Sequence, residues 1–226
     1  MTKIYDMHEE NPDPRKIMLA SQDLNAGKVI LCPTETGYCL LASCQSQTAH
    51  KKLATIKSPR SKDKPYSLLF QDIRQISLFT QISNSNYKLL NKYLPGPFTF
   101  LLEASKNAKK ILTTKKRPVI GVRLSSHNIA KSLMTENTGP LIITSLTDEE
   151  SLENKGYFND QEQEDSWWTQ AEDILDVYPN TIDSILSVKT PVPLKKSTII
   201  DLTTQEPMIV RRGLECPEDL LLFKEQ

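Results

Sequence analysis

The residues of this chain best suited to chemistry are cations and hydroxyls at the ends of apolar runs. Lys57, Arg60, Lys62 and Lys64 crowd the stretch IKSPRSKDKP, just before the run SLLF. Arg123 closes PVIGVRL, and Thr144 and Ser145 close LIITS. Lys195, Lys196, Ser197 and Thr198 open STIIDL, and Arg211 and Arg212 close MIVRR. Earlier, LCPTETGYCLLA sets Thr34, Glu35 and Thr36 between two apolar runs, either as an ordinary polar turn or as the rim of a site for a small polar molecule. Guanidinium forks suit phosphate and carboxylate, and ammonium groups add compact charge. Each item has a structural alternative: lysine loops are solvated, strand-end arginines form ion pairs, and paired hydroxyls satisfy turn backbone. Repetition at successive strand ends is what argues for a site, and spacing alone does not say whether those ends converge.

Other chemistries find little support. The chain has seven glycines and neither GxxxxGK[ST] nor GxGxxG, so a phosphorylated ligand would be held by side chains. His8, His50 and His127 form no HExxH and no triad, so no intrinsic metal site is expected. Cys32, Cys39, Cys44 and Cys216 form no CxxC pair and read as buried free thiols of a reducing compartment. Lys plus Arg and Asp plus Glu both number 28, so bulk charge singles out neither nucleic acid nor an acidic membrane. The opening MTKIYDMHEENPDPRK lacks a signal-peptide core, and no run approaches the ~18 apolar residues of a membrane span. A cytoplasmic protein with no membrane partner is expected.

The elements that must position these groups follow from pattern. Asp13-Pro14 opens a helix in which Ile17, Ala20 and Leu24 recur, ended by Gly27. KVILCPT and YCLLA read as buried strands, and Ala49, Leu53 and Ile56 place a helix over TAHKKLATIK. SLLF is a strand, DIRQISLF and NYKLLNKYL are helices, and FTFLLEA resumes as strand after Pro95-Gly96-Pro97. PVIGVRL, PLIITSL, TIDSILSV, STIIDL and MIVRR are further strands; NIAKSLM, DSWWTQAEDILDVY and PEDLLLFKE read as helices. The interleaving predicts one α/β domain over 1–226, a strongly twisted mixed sheet with flanking helices and a core of about 14–213. Residues 147–165 carry eight acidic groups against Lys155 alone and read as a solvated insertion.

Six of these motifs, PTETGYCLLA, the stretch from Lys57 to KPYSLLF, PGPFTFLLEA, IGVRLSSHNIAKSLM, GPLIITSL and STIIDLTTQEPMIVRRG, occur in the order seen in YrdC-like proteins. The resemblance runs from about Ala26 to Gly213. It implies a twisted α/β fold with a concave cationic face. It also implies threonylcarbamoyl-AMP synthesis from L-threonine, bicarbonate and ATP with Mg2+, releasing pyrophosphate and feeding the threonylcarbamoyl modification of tRNA. Double-stranded RNA or tRNA is the other implied partner. By the same resemblance, Lys57 and Arg60 would meet carboxylate and phosphates as the catalytic pair. Thr34, Thr36, Tyr38, Arg123 and Thr144 would hold the substrate, and Ser145, Thr147, Ser197 and Arg211 would join Lys57 and Arg60 at the nucleotide.

Three departures stand out. Ser145-Leu146-Thr147 replaces the family's Ser-Ala-Asn, two residues separate Lys57 from Arg60 instead of one, and GYCLLA replaces a VYGLG-like stretch. The first and third of these traits resemble the YciO-type branch. The chain also ends soon after Gly213, so the carboxy-terminal domain of longer synthases is not expected. An adenylate-forming enzyme is the first expectation. An RNA-binding module on the same scaffold is the second, and a hydrolase or transferase of related carbamoyl or adenylated compounds the third.

Overall fold

The computed structural model describes residues 2–56, 67–106, 108, 119–146, 171, 174–175, 178, 181–193, 195–220 and 222–225. Lys57, Arg60, Thr147, the acidic stretch 147–165 and most of DSWWTQAEDILDVY lie outside them.

Among the described residues, eleven strands form one mixed sheet. In chain order they are β1 (Lys3–Asp6), β2 (Val29–Thr34), β3 (Gly37–Ser43), β4 (Ser67–Leu69), β5 (Phe98–Glu103), β6 (Val119–Arg123), β7 (Leu141–Ser145), β8 (Ser184–Ser187), β9 (Thr198–Asp201), β10 (Met208–Arg211) and β11 (Lys224–Glu225). Their spatial order is β1-β8-β2-β3-β7-β4-β6-β5-β9-β10-β11. Parallel pairs (β1 with β8, β2 with β8, β4 with β6, β5 with β9, β10 with β11) are mixed with antiparallel ones (β2 with β3, β3 with β7, β4 with β7, β5 with β6, β9 with β10). This is the mixed α/β sheet that the interleaved pattern predicts.

The described helices are α1 (Pro14–Asn25), α2 (Gln47–Ile56), α3 (Ile73–Phe79), α4 (Asn84–Tyr93) and α5 (Asn128–Glu136). Local chemistry starts each well. The Asp13 carboxylate accepts from Arg15 N at 2.9 Å with Pro14 at the first helical position, Asp72 accepts from Gln75 N at 2.7 Å, and Ser83 accepts from Asn86 N at 3.2 Å. Gly27 follows α1 with φ +77°, a conformation costly for residues with a Cβ. Ile17, Ala20 and Leu24 of α1, and Ala49, Leu53 and Ile56 of α2, are buried as their spacing predicts. One core joins them to β2 and β3, where every residue from Val29 to Ala42 except Glu35 is buried.

Two terminal elements differ from expectation. Lys3–Asp6 is a strand along β8, which short exposed sequence does not announce. PEDLLLFKE is a turn leading into β11, not a helix: Lys224 and Glu225 pair with Met208 and Ile209. Backbone pairing to the β10 edge outweighs the helical propensity of its leucines. The sheet thus takes in residues on both sides of the 14–213 core. All four cysteines are free, with Cys32, Cys39 and Cys44 buried and Cys216 partly so. No helix among the described residues is long and apolar enough to cross a membrane.

Candidate functional site

Thr34 and Gly37 are the closing pair of a hairpin whose two-residue loop is Glu35-Thr36. That sequence lacks the Asn-Gly type favoured in such loops. Instead Gly37 adopts φ +134°, and the Thr34 side chain closes the turn: its Oγ1 donates to Gly37 O at 2.7 Å and accepts from Thr36 N at 3.3 Å. Thr34 Oγ1 also lies 3.2 Å from Thr36 Oγ1. Both threonines are buried. The motif is therefore a structural turn first, built so that its tip projects Glu35.

Glu35 is held from below. Arg123 Nη2 donates to Glu35 Oε1 at 2.8 Å and to Thr36 Oγ1 at 3.1 Å, and Ser125 Oγ donates to Glu35 Oε2. The arginine side chain is 6% exposed and the glutamate 12%. Burial acts to lower the Arg123 pKa, but Cys39 and Glu35 outweigh it and hold the guanidinium charged. The pair is thus a near-buried ion pair, with the charge of Arg123 committed inside the protein. Arg123 Nε has no hydrogen-bond partner.

A second polar centre lies across β5, β9 and β10. Ser197 Oγ is 2.9 Å from Thr99 Oγ1. Arg211 grips the same residue: Nε and Nη2 donate to Ser197 O at 3.1 and 2.9 Å, and Nη2 to Ser197 Oγ at 3.2 Å. Gly213 makes this possible, since a Cβ there would lie 2.2 Å from Lys196 O and 2.3 Å from Ser197 C. The two centres are tied by Lys195 N donating to Thr36 O at 2.9 Å.

Register decides which candidates share a face. Directly paired residues project on the same side, and successive residues alternate. Cys32 pairs with Cys39 and Cys39 with Ser145; Ser67 pairs with Ile143 and Gly121; Leu69 pairs with Arg123; Thr99 pairs with Ile199, which pairs with Arg211. Thr34, Ser145, Arg123, Thr99, Ser197 and Arg211 therefore lie on one face. Tyr38 pairs with Pro33 and Thr144 with Leu40, which puts both on the other face. Tyr38 is buried there, its hydroxyl accepting from Val188 N at 3.3 Å. The structure thus brings Thr34, Thr36, Arg123, Ser145, Ser197 and Arg211 to one side and does not bring Tyr38 or Thr144 with them. The Lys57, Arg60 and Thr147 assignments fall outside the described residues.

At the hairpin tip a cavity of about 340 Å³ is lined by Thr34, Glu35, Glu9, Glu10, Ser126, His127, Asn128, Val192 and Pro193. A second, of about 410 Å³, shares Ser126 with it and is walled by Tyr93, Pro95, Pro97 and Phe98, with Lys92, Glu215 and Asp219 also lining it. The first is lined by three carboxylates and by no described lysine or arginine. Glu35 is named in the hairpin motif without a role of its own; the residues pattern reading missed are Ser125 and His127, two and four positions after Arg123. Glu9 and Glu10 carry no signal, because only the β1–β8 pairing brings the amino-terminal segment here. Among the described residues no group of three His, Cys, Asp or Glu could hold a metal ion.

Known proteins share this sequence and this fold. A 29% identical Haemophilus influenzae protein aligns over 214 residues, covering 94% of this chain and 96% of its own. A putative threonylcarbamoyl-AMP synthase of Methanocaldococcus jannaschii is 26% identical over 214 residues, covering 94% of this chain and 92% of its own. The crystal structure of Escherichia coli YciO superposes with a TM-score of 0.80 at 26% identity, covering 96% of this chain and 98% of that one. Sua5 of P. abyssi complexed with L-threonine has the same fold: TM-score 0.81 at 23% identity, over all of this chain and 63% of that one. The Sua5/YciO/YrdC family model, described as "Telomere recombination", matches residues 22–213, and the chain belongs to that family.

Proposed function

We propose that this protein binds ATP and L-threonine on the face carrying Thr34, Arg123, Ser197 and Arg211, and forms threonylcarbamoyl-AMP. The observation that carries the proposal is the shared face itself, to which strand register brings hydroxyl and guanidinium groups of the hairpin tip, β6, β7 and β10 and of Ser197 just before β9. Relatives named for this product, and a threonine-bound structure of the same fold, support it. In this chemistry the threonine amine and bicarbonate give a carbamate and water. A carbamate oxygen then attacks the α-phosphorus as the bond to the β-phosphate oxygen breaks and pyrophosphate leaves. Such a reaction rests on positioning and on neutralising phosphate charge more than on acid–base residues. Arg211, fixed by Ser197, would take that task with Lys57 and Arg60, all three assigned to it by the resemblance. Magnesium in such a reaction is carried largely by the nucleotide phosphates, and no step is routed through it.

The test is incubation with ATP, bicarbonate and magnesium, with and without L-threonine, read by pyrophosphate release. Threonine-dependent release supports the proposal; ATP binding without it overturns the synthase assignment. The RNA-binding alternative predicts affinity that falls steeply with salt through counterion release. The acidic cavity gives that alternative no support among the described residues.

A further inference from the structure

Of the six quoted motifs, PGPFTFLLEA is the one to which the proposed function gives no part. Its threonine, Thr99, is 3% exposed, and Thr99 Oγ1 lies 2.9 Å from Ser197 Oγ. Ser197 is 5% exposed and is the residue that holds Arg211. Packing fixes which way the Thr99 side chain turns. A Cβ at Gly121, on the neighbouring strand β6, would stand 3.1 Å from Thr99 Cγ2 and 2.7 Å from Ser67 Oγ. The Thr99 methyl therefore rests against the bare backbone of Gly121, and the hydroxyl faces Ser197. A β-branched side chain in a strand has little other rotamer freedom.

A proton count gives this contact a direction. Arg211 Nη2 donates to Ser197 Oγ at 3.2 Å, so the serine oxygen is an acceptor there. Thr99 Oγ1 has no second hydrogen-bond partner among the described residues. A hydroxyl carries one proton and can accept two, and a buried donor needs an acceptor. The acceptor within reach of Thr99 is Ser197 Oγ, so Thr99 donates, and Ser197 Oγ accepts from Thr99 and Arg211 together. Both of its lone pairs are then taken, and its own proton points away from both partners. The centre thus keeps one hydroxyl donor in reserve, beside a guanidinium.

We infer, on the proposed binding of ATP to this face, that Thr99 is a positioning residue: it sets the Ser197 hydroxyl as a donor to a phosphate oxygen, next to the charge of Arg211. Thr99 touches no ligand itself and acts through Ser197. Without this partner the serine has three staggered rotamers, and two of them carry Oγ away from Arg211. The structural alternative is that the hydroxyl pair merely ties β5 to β9. Those strands are already joined by Thr198 N donating to Pro97 O at 2.9 Å and Leu202 N to Leu101 O at 3.0 Å, with the ladder between them.

Calorimetric titration of the full chain with ATP and magnesium tests this role. Thr99→Val keeps the shape of the side chain and removes its hydroxyl, and it is expected to weaken ATP binding about five- to tenfold, the worth of one hydrogen bond. Thr99→Ser returns the hydroxyl and should restore affinity to within about twofold of the wild type. The decisive measurement is a double-mutant cycle with Ser197→Ala. Because Thr99 acts through Ser197, Thr99→Val should add no further loss in the Ser197→Ala background. A fold that is merely loosened would give additive losses instead. ATP affinity untouched by Thr99→Val, additivity in the cycle, or no recovery with Thr99→Ser would each overturn the role. A wild type that binds no ATP would overturn it together with the proposed function. ATP binding without threonine-dependent pyrophosphate release removes the synthase assignment alone, and the cycle still decides the role of Thr99.

Discussion

Glu35→Gln tests whether the hairpin tip is built around a buried charge. The change keeps side-chain volume but removes the counter-ion of a guanidinium that is 6% exposed. Breaking a buried ion pair from one side typically costs about 3–5 kcal/mol, because the remaining charge is neither solvated nor paired. Glu35 faces the cavity, and the amide keeps one carbonyl for Arg123, so the low end, about 3 kcal/mol, is expected. For a chain of this size that lowers Tm by roughly 6–12 °C. Arg123→Met should cost less, because it leaves Glu35 where water can reach its carboxylate. The double variant should recover part of the loss, since an apolar replacement of both partners avoids burying an uncompensated charge. Urea unfolding with unchanged m-value gives the three free energies, and the cycle gives the coupling. A Glu35→Gln variant within about 1 kcal/mol of wild type, or an Arg123→Met variant that is the less stable of the two, would refute the reasoning.

Further consequences concern the turn, the glycine clamp and pH. Thr34→Val removes the hydroxyl that serves Gly37 O and Thr36 N inside the protein, so a loss of about 1–3 kcal/mol is expected in urea unfolding, with Thr34→Ser retaining most of the stability. Gly213→Ala forces a Cβ against Lys196 O and breaks the Leu214 N to Lys196 O bond of 2.7 Å and the Gly213 N to Thr198 Oγ1 bond of 2.9 Å. Two lost hydrogen bonds of about 1 kcal/mol each set the minimum cost, and ATP titration should show weaker binding as Ser197 and Arg211 shift. His127 and His50 are both held below their ordinary pKa of 6.5, chiefly by burial. The unfolded chain therefore binds more protons as pH falls through 6.5, and stability should decline on that side and level off above it. His127→Asn should flatten part of that decline in thermal melts between about pH 5 and 7, and an unchanged slope would assign the effect elsewhere.

Much of the scaffold was legible because its causes are local. Asp13-Pro14, Asp72 and Ser83 announce helices through side chains that serve the nearest backbone donors, and no distant residue is needed. The buried strands stand out as apolar runs between turn residues. The two terminal strands were not legible, since Lys3–Asp6 and Lys224–Glu225 are strands only through pairing with segments far along the chain.

The site divides the same way. Sequence by itself determined which groups were available: hydroxyls and cations at the ends of apolar runs, with a carboxylate at one hairpin tip. It could not say which of them meet. Strand alternation separates Thr144 from Ser145 however suggestive their adjacency, and only the pairing of Cys39 with Ser145 shows which one joins Thr34. Arg123 makes the point more sharply. Along the hydrogen-bond ladder it stands level with Leu69, Leu141 and Ser43, and Ser43 is six residues from Gly37. In a flat sheet that offset is about 20 Å. Yet Arg123 Nη2 lies 2.8 Å from Glu35, because the right-handed twist accumulated over the intervening strands curls that face on itself. Twist is a property of the assembled sheet, with no residue pattern of its own, and so the pairing of Arg123 with Glu35 belongs to the tertiary structure alone.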